Sequence, residues 1–391
     1  MLGTYSPRLV KVTLHAIFFL SGIATVLIGQ LLPILARHFT LSDLQVSFFF
    51  PSQFAGSLLG TYLTSLFARR NNFIAASILG ACLMATGVLM MNVDLFWVCL
   101  VGFLINGLGI GMTLPSINML ILELNPQRPG SALSILNFCW GLGAIFSKPF
   151  VDLFSSADNI GLTTFVLAAP LLGSAMVLLF AVGKRQAATS QASVTEEAEP
   201  IPIWTMPIAW AIAAFNFIHV GFESGIGGWL TTYTGRLDGT PLLPWLSPTL
   251  LYFSFFVAGR GIAPVLFRFF NENRMLMLGL GVVLAGMILT LSAGSVVALS
   301  LGASLAGFGT SWIFPTNVSR FSRYFGPSAT RRATPLFICG TLGSAISTWL
   351  IGYISDQTGS LRAGMFVLMV SIVLLIVLQI GLSIRRPVAI G

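Results

Sequence analysis

Gly107-Leu-Gly109-Ile-Gly111-Met-Thr-Leu-Pro115-Ser116 returns two hundred residues later as Gly307-Phe-Gly309-Thr-Ser-Trp-Ile-Phe-Pro315-Thr316. The register holds into the next apolar run, where Leu136, Cys139, Leu142, Gly143 and Ser147 match Leu336, Cys339, Leu342, Gly343 and Ser347. Small residues are common in membrane helices, so one such match carries nothing. A register shared across two successive helices marks an internal duplication. Parallel repeats of this kind build transporters whose solute site lies at the midplane between the halves.

Outward from these copies the chain is almost continuously apolar. Hydrophobic residues make up 55% and charged residues only 8%, against about a quarter charged in a soluble domain. A bilayer core needs roughly 20 apolar residues per helix. Such segments are predicted near 12–36, 44–68, 72–92, 95–122, 131–154 and 161–183, then near 206–234, 247–269, 274–293, 295–318, 330–353 and 361–383. The expected fold is therefore an all-α membrane protein of twelve transmembrane helices in two pseudo-symmetric six-helix bundles. Residues 1–183 form the first bundle, 184–205 a polar cytoplasmic linker and 206–391 the second bundle. The first apolar run reads as a spanning helix, with no small-residue cleavage site to close it.

Charge gives the orientation. With the N-terminus inside, fifteen Lys and Arg fall at inside ends and loops, while Arg37, Arg236 and Arg362 alone fall outside. The positive-inside rule then places both termini and the linker in the cytoplasm, in a plasma (inner) membrane. The net charge of +8 is spread between apolar spans and faces anionic lipid, so nucleic acid is excluded as a partner. Cys82, Cys99, Cys139 and Cys339 lie in apolar stretches with no CxxC pair and carry no metal or disulfide signature. No cofactor, metal or enzymatic constellation is expected, and the chain is expected to act as a monomer.

The second span ends Gly60-Thr-Tyr-Leu-Thr64-Ser-Leu-Phe-Ala-Arg69-Arg70-Asn-Asn. With the twelve spans and the 6+6 repeat, this resembles the major facilitator superfamily and its loop between spans two and three. A glycine there lets helices approach and basic residues meet the cytoplasm. The usual acidic residue is absent, and Thr64 stands near its place. The seventh span reads His219-Val-Gly221-Phe-Glu223-Ser-Gly-Ile-Gly-Gly-Trp229-Leu-Thr-Thr-Tyr233, and the eighth contains Phe255-Phe-Val-Ala-Gly259-Arg260. Both are similar to the fucose-permease-like branch of that superfamily. The resemblance implies a cation-coupled symporter of a sugar or related polar solute.

Ionisable groups inside spans cost roughly 2.5–3.5 kcal/mol each at a helix centre, so the few present are informative. Glu223 sits well inside the seventh span, with His219 and Asn216 four and seven residues before it on one helical face. Glu223 and His219 are the candidate coupling residues for a proton or sodium ion. Asn216, Gln30, Asn118, Asn137 and Asn317 offer amides that both donate and accept hydrogen bonds. Trp229 and Trp140 offer stacking surfaces, and Arg260 a cation within the eighth span. Together these are the candidate solute-binding residues. Lys148 and Asp152, four apart, and Arg69 and Arg70 are candidate gating residues. The function expected is alternating-access transport of a small hydroxylated solute. The competing reading is a proton-coupled exporter of drugs or amphipaths. The span-five run Gly141-Leu-Gly143-Ala-Ile-Phe-Ser-Lys148-Pro149 only partly matches the Gly-Pro motif of such exporters.

Overall fold

The computed structural model describes residues 7–70, 72–125, 127, 129–156, 159–182, 203–237, 246–325 and 333–384. The first half consists of α1 (Pro7–His38), a short α2 (Asp43–Ser47), α3 (Phe49–Ala68), α4 (Phe73–Met90), α5 (Phe96–Leu124), α6 (Pro129–Phe154) and α7 (Gly161–Val182). The second half consists of α8 (Pro207–Thr234), α9 (Pro248–Leu266), α10 (Glu272–Ser292), α11 (Val296–Thr310), α12 (Ile313–Phe325), α13 (Thr334–Thr358) and α14 (Leu361–Ile384). Of the linker expected at 184–205, only a 3-10 turn at Ile203–Thr205 belongs to the described residues.

Twelve crossings result. α2 is a single turn ahead of α3, and α11 with α12 forms one interrupted crossing. Among the described residues, nine crossings are long and apolar enough to span a membrane by composition alone. The other three, α3, α6 and α8, each reach the seam between the halves, against α13, α9 and α1. Large apolar side chains such as Trp97, Phe165, Phe180 and Val377 are exposed outward, as a lipid-facing surface requires.

Local chemistry sets the helix ends. Ser42 and Gln45 form a reciprocal capping box at the start of α2, which satisfies two backbone amides. Asn72, Ser247, Asn271 and Ser295 cap α4, α9, α10 and α11 through their side chains. Gly359, at φ +66°, ends α13 in the left-handed conformation open to glycine.

The repeated glycines explain the repeated packing. A Cβ at Gly107 would overlap the Gln53 carbonyl of α3, and one at Gly307 would overlap the Tyr252 carbonyl of α9. α5 therefore lies on α3 as α11 lies on α9. The repeated prolines act in the same register. Pro115 and Pro315 have no N–H, so each leaves the carbonyl four residues earlier without its helical partner. The freed Gly111 carbonyl accepts from Thr61 at 3.4 Å and Thr64 at 3.3 Å. The freed Ser311 carbonyl accepts from Arg260 Nε at 3.4 Å. Here the structure differs from the continuous span expected at 295–318. The helix breaks at Ser311–Trp312, four residues ahead of Pro315.

Candidate functional site

The two halves meet along α1–α8, α2–α13, α3–α13 and α6–α9. Near the middle of this seam, α1, α3, α6, α8 and α9 enclose a cavity of about 590 Å³ including its mouth. Thr25, Gly29, Phe50, Phe54 and Trp140 face it from the first half, and Glu223, Ser224, Tyr252, Phe253 and Phe256 from the second.

Glu223 opens into this cavity with its side chain 25% exposed, whereas His219, one turn away, is 1% exposed. Their closest atoms, His219 Nε2 and Glu223 Oε2, are 3.6 Å apart. Among the described residues neither ring nitrogen of His219 has a hydrogen-bond partner. Glu223 has no Lys or Arg within ion-pair distance there. Arg260 and the Tyr252 hydroxyl lie within electrostatic reach of its carboxylate. The Arg260 guanidinium sits 4.1 Å over the Phe256 ring.

Only some of the residues singled out in the sequence face the cavity. Glu223 and Trp140 line it; His219 stands behind Glu223, and Arg260 behind Phe256. Asn216 shares their helical face, yet its Nδ2 donates to the Leu336 carbonyl of α13 at 2.9 Å. Trp229 is fully buried, with its indole N–H donated to the Thr348 carbonyl at 2.9 Å. Gln30 Oε1 accepts from Thr231 at 2.6 Å, joining the halves beyond the cavity. Asn118 and Asn137 each donate back to their own helices, at Leu114 and Leu133, both at 2.8 Å. Asn317 accepts from Arg320 at 2.5 Å and donates to the Ile212 carbonyl at 3.3 Å. It belongs to a buried network in which Arg320 also donates to Gln379.

The candidate gating residues do not bridge the halves. Lys148 and Asp152 pair within α6. Arg69 and Arg70 are exposed just past the end of α3. Thr64, near the place of the absent acid, is held by Gly60, Gly111 and Met112 carbonyls in the α3–α5 seam.

The closure between halves lies elsewhere. Arg236 donates through both terminal nitrogens to the Asp43 carboxylate, and the Ser355 hydroxyl donates to the same carboxylate. Asp43 belongs to the first half and both partners to the second. Among the described residues, every hydrogen bond across the halves lies at this end of the bundle. Below the latch the backbones nearly touch: a Cβ at Gly29 would lie 2.7 Å from the Gly227 carbonyl oxygen. Sequence reasoning missed this latch. The Ser42–Gln45 capping box positions Asp43, and nothing in the local sequence marks a partner 193 residues away.

The profile of the Major Facilitator Superfamily matches residues 14–337. The glucose/mannose transporter GlcP of Bacillus subtilis is 22% identical over 398 aligned positions, covering 95% of this chain and 94% of that protein. Among solved structures, the fold is similar to the transporter FucP in its outward conformation, at 19% identity and a TM-score of 0.63, covering 95% of this chain and 98% of that one. It is similar to a D-xylose–proton symporter at 16% identity and a TM-score of 0.73, covering 95% and 97%. A bacterial homologue of the human lysosomal transporter Spinster, inward-facing and occupied, gives a TM-score of 0.78 at 14% identity, covering 98% of each chain.

Proposed function

The chain belongs to the Major Facilitator Superfamily, and is therefore an integral membrane transporter of small solutes and not an enzyme; from that premise we propose that it is a proton-coupled sugar symporter working by alternating access. The observation that carries the proposal is Glu223, a carboxylate facing a cavity between the halves, with only a histidine among the described residues within 4 Å to balance it. A carboxylate in such a place favours binding a cation before the cavity closes around it, because burial disfavours the charged form. A proton suits this wall better than sodium does. A proton needs no ligand beyond the carboxylate itself, and among the described residues no second carboxylate lines this cavity to balance a metal ion.

The similarity to GlcP and to the D-xylose–proton symporter supports a sugar as solute. The aromatic walls support it too, since sugar rings stack on apolar faces. On this reading the Asp43 end faces the outside, both termini face the cytoplasm, and the latch holds the outer side shut. The aromatic lining also suits an amphipathic export substrate, which is the second reading.

Uptake into proteoliposomes over a panel of sugars, with proton and sodium gradients imposed separately, tests the proposal. We expect accumulation of a monosaccharide driven by the proton gradient alone. Glu223→Gln should abolish that accumulation and preserve solute exchange without a gradient. Full accumulation in the Gln variant, or accumulation driven only by sodium, would refute the coupling role. Proton-driven expulsion of amphipaths with no sugar movement would favour export.

A further inference from the structure

The cavity's polar groups divide into those bonded to protein and those that are not. Thr25 Oγ1 donates to the Ser21 carbonyl at 2.6 Å, and Ser224 shares a hydrogen with Ser344 at 2.7 Å. By contrast, the Tyr252 hydroxyl and the Trp140 indole N–H are buried on the cavity wall with no hydrogen-bond partner among the described residues. Glu223 adds two acceptor oxygens. The residues of the wall thus carry one unpartnered N–H donor from the first half, one unpartnered hydroxyl from the second, and one carboxylate.

Tyr252 is held firmly in place. Its ring is fully buried and stacks on Phe256 at 6.2 Å and 19°, with Phe253 edge-on at 5.1 Å. Its backbone carbonyl packs on Gly307. The phenol oxygen is therefore presented by a rigid aromatic cluster, which lowers the entropy lost on binding.

We propose that Tyr252 and Trp140 are the specificity-determining residues of a monosaccharide subsite, clasping one sugar ring across the two halves while an adjacent hydroxyl donates to Glu223. The inference rests on the sugar reading above and names the groups that select within that class. Ring hydroxyls fit because each accepts and donates at once. A nucleobase would present a planar amide edge, and among the described residues no Asn or Gln lines this cavity. An apolar solute would leave both buried donors unpaired, which disfavours its binding. Tyr252 follows Leu250 and Leu251 in an apolar run, where nothing local marks it as a binding residue.

Exchange of labelled D-glucose across proteoliposomes with no imposed gradient reads binding apart from coupling. The monodeoxy glucoses serve as competitors. In the wild type, deletion of either of two hydroxyls should weaken competition about fivefold, the worth of one neutral hydrogen bond. Tyr252→Phe should weaken glucose about five- to tenfold and erase the penalty at one ring position only. Trp140→Phe should erase it at a different position. Ligand-free Tyr252→Phe should melt no lower than the wild type, since an unpaired buried hydroxyl has been removed. Deoxy profiles unchanged in both variants, or a lower ligand-free melting temperature with unaltered glucose affinity, would overturn the assignment while leaving the sugar function standing. Uridine outcompeting every hexose would overturn the monosaccharide class. Absence of exchange with any hexose in the wild type would overturn this inference and the sugar reading together.

Discussion

Trp229 and Glu223 show what one residue's surroundings decide. Both lie in the same glycine-rich stretch of α8, six residues apart, which is about 240° around a helix. Glu223 therefore faces the cavity and Trp229 faces α13. The carboxylate's outlook was readable in the sequence, because an ionised group in a span must turn away from lipid. The indole's was not, since an aromatic is equally at ease against a solute, a neighbouring helix or the interface. Asn216 escaped for a related reason: its helical face was right, but its short side chain reaches the Leu336 carbonyl. Trp229→Phe tests the packing role. It removes the indole donor while the Thr348 carbonyl keeps its partner within α13, and it buries a smaller ring, at a cost of about 1 kcal/mol for the lost bond. We expect a lower melting temperature in detergent with little change in half-saturating solute concentration. A marked rise in that concentration at unchanged stability would return Trp229 to the binding site.

At the scale of elements, the duplication is a packing rule written twice. Gly107 and Gly307 set how closely α5 and α11 approach α3 and α9. Pro115 and Pro315 each free a carbonyl, and the neighbouring helix answers it with what it has. α3 supplies the hydroxyls of Thr61 and Thr64. α9 supplies Arg260, whose guanidinium also covers Phe256 of the cavity wall. The repeat was legible because backbone contacts tolerate only glycine, and only proline frees a carbonyl in mid-helix. The pairing of Arg260 was not legible, since a lone cation in a span points equally to a carboxylate, a solute or the interface. A double-mutant cycle measures the pairing. Arg260→Gln should destabilise the protein by about 1.5 kcal/mol, the lower end for a hydrogen bond from a charged donor. Pro315→Ala restores an N–H to the Ser311 carbonyl, so the same Arg260 change should cost distinctly less in that background. Additive melting shifts would mean that Arg260 does not serve the freed carbonyl.

For the whole molecule, the decisive feature is where the halves touch. Twelve spans were legible from hydropathy, because lipid demands continuous apolar helices. The seam was not, because it joins loops and helix ends far apart in sequence through side chains that are ordinary surface residues taken singly. Asp43 was one acid among the connections, and Arg236 one of three cations at its end of the bundle. Together with Ser355 they clamp α2 onto the second half. The clamp requires Gly352: a Cβ there would overlap the Ser47 side chain and lie 2.6 Å from the Asp43 carbonyl oxygen. Neither half needs that closeness for its own fold, so a bulkier residue penalises only the state in which this end is shut. Gly352→Val should therefore shift the population toward opening at the Asp43 end without lowering stability much. A bias of ~1.4 kcal/mol, a modest steric penalty, amounts to about tenfold. The readout is labelling of Phe50→Cys, introduced into a cysteine-free background, by an impermeant thiol reagent added from that side. Labelling should quicken by about that factor, and Asp43→Asn should act in the same direction more weakly, because Arg236 is partly solvated. Equal labelling rates with and without Gly352→Val would mean that this seam is not the barrier separating the cavity from that side of the membrane.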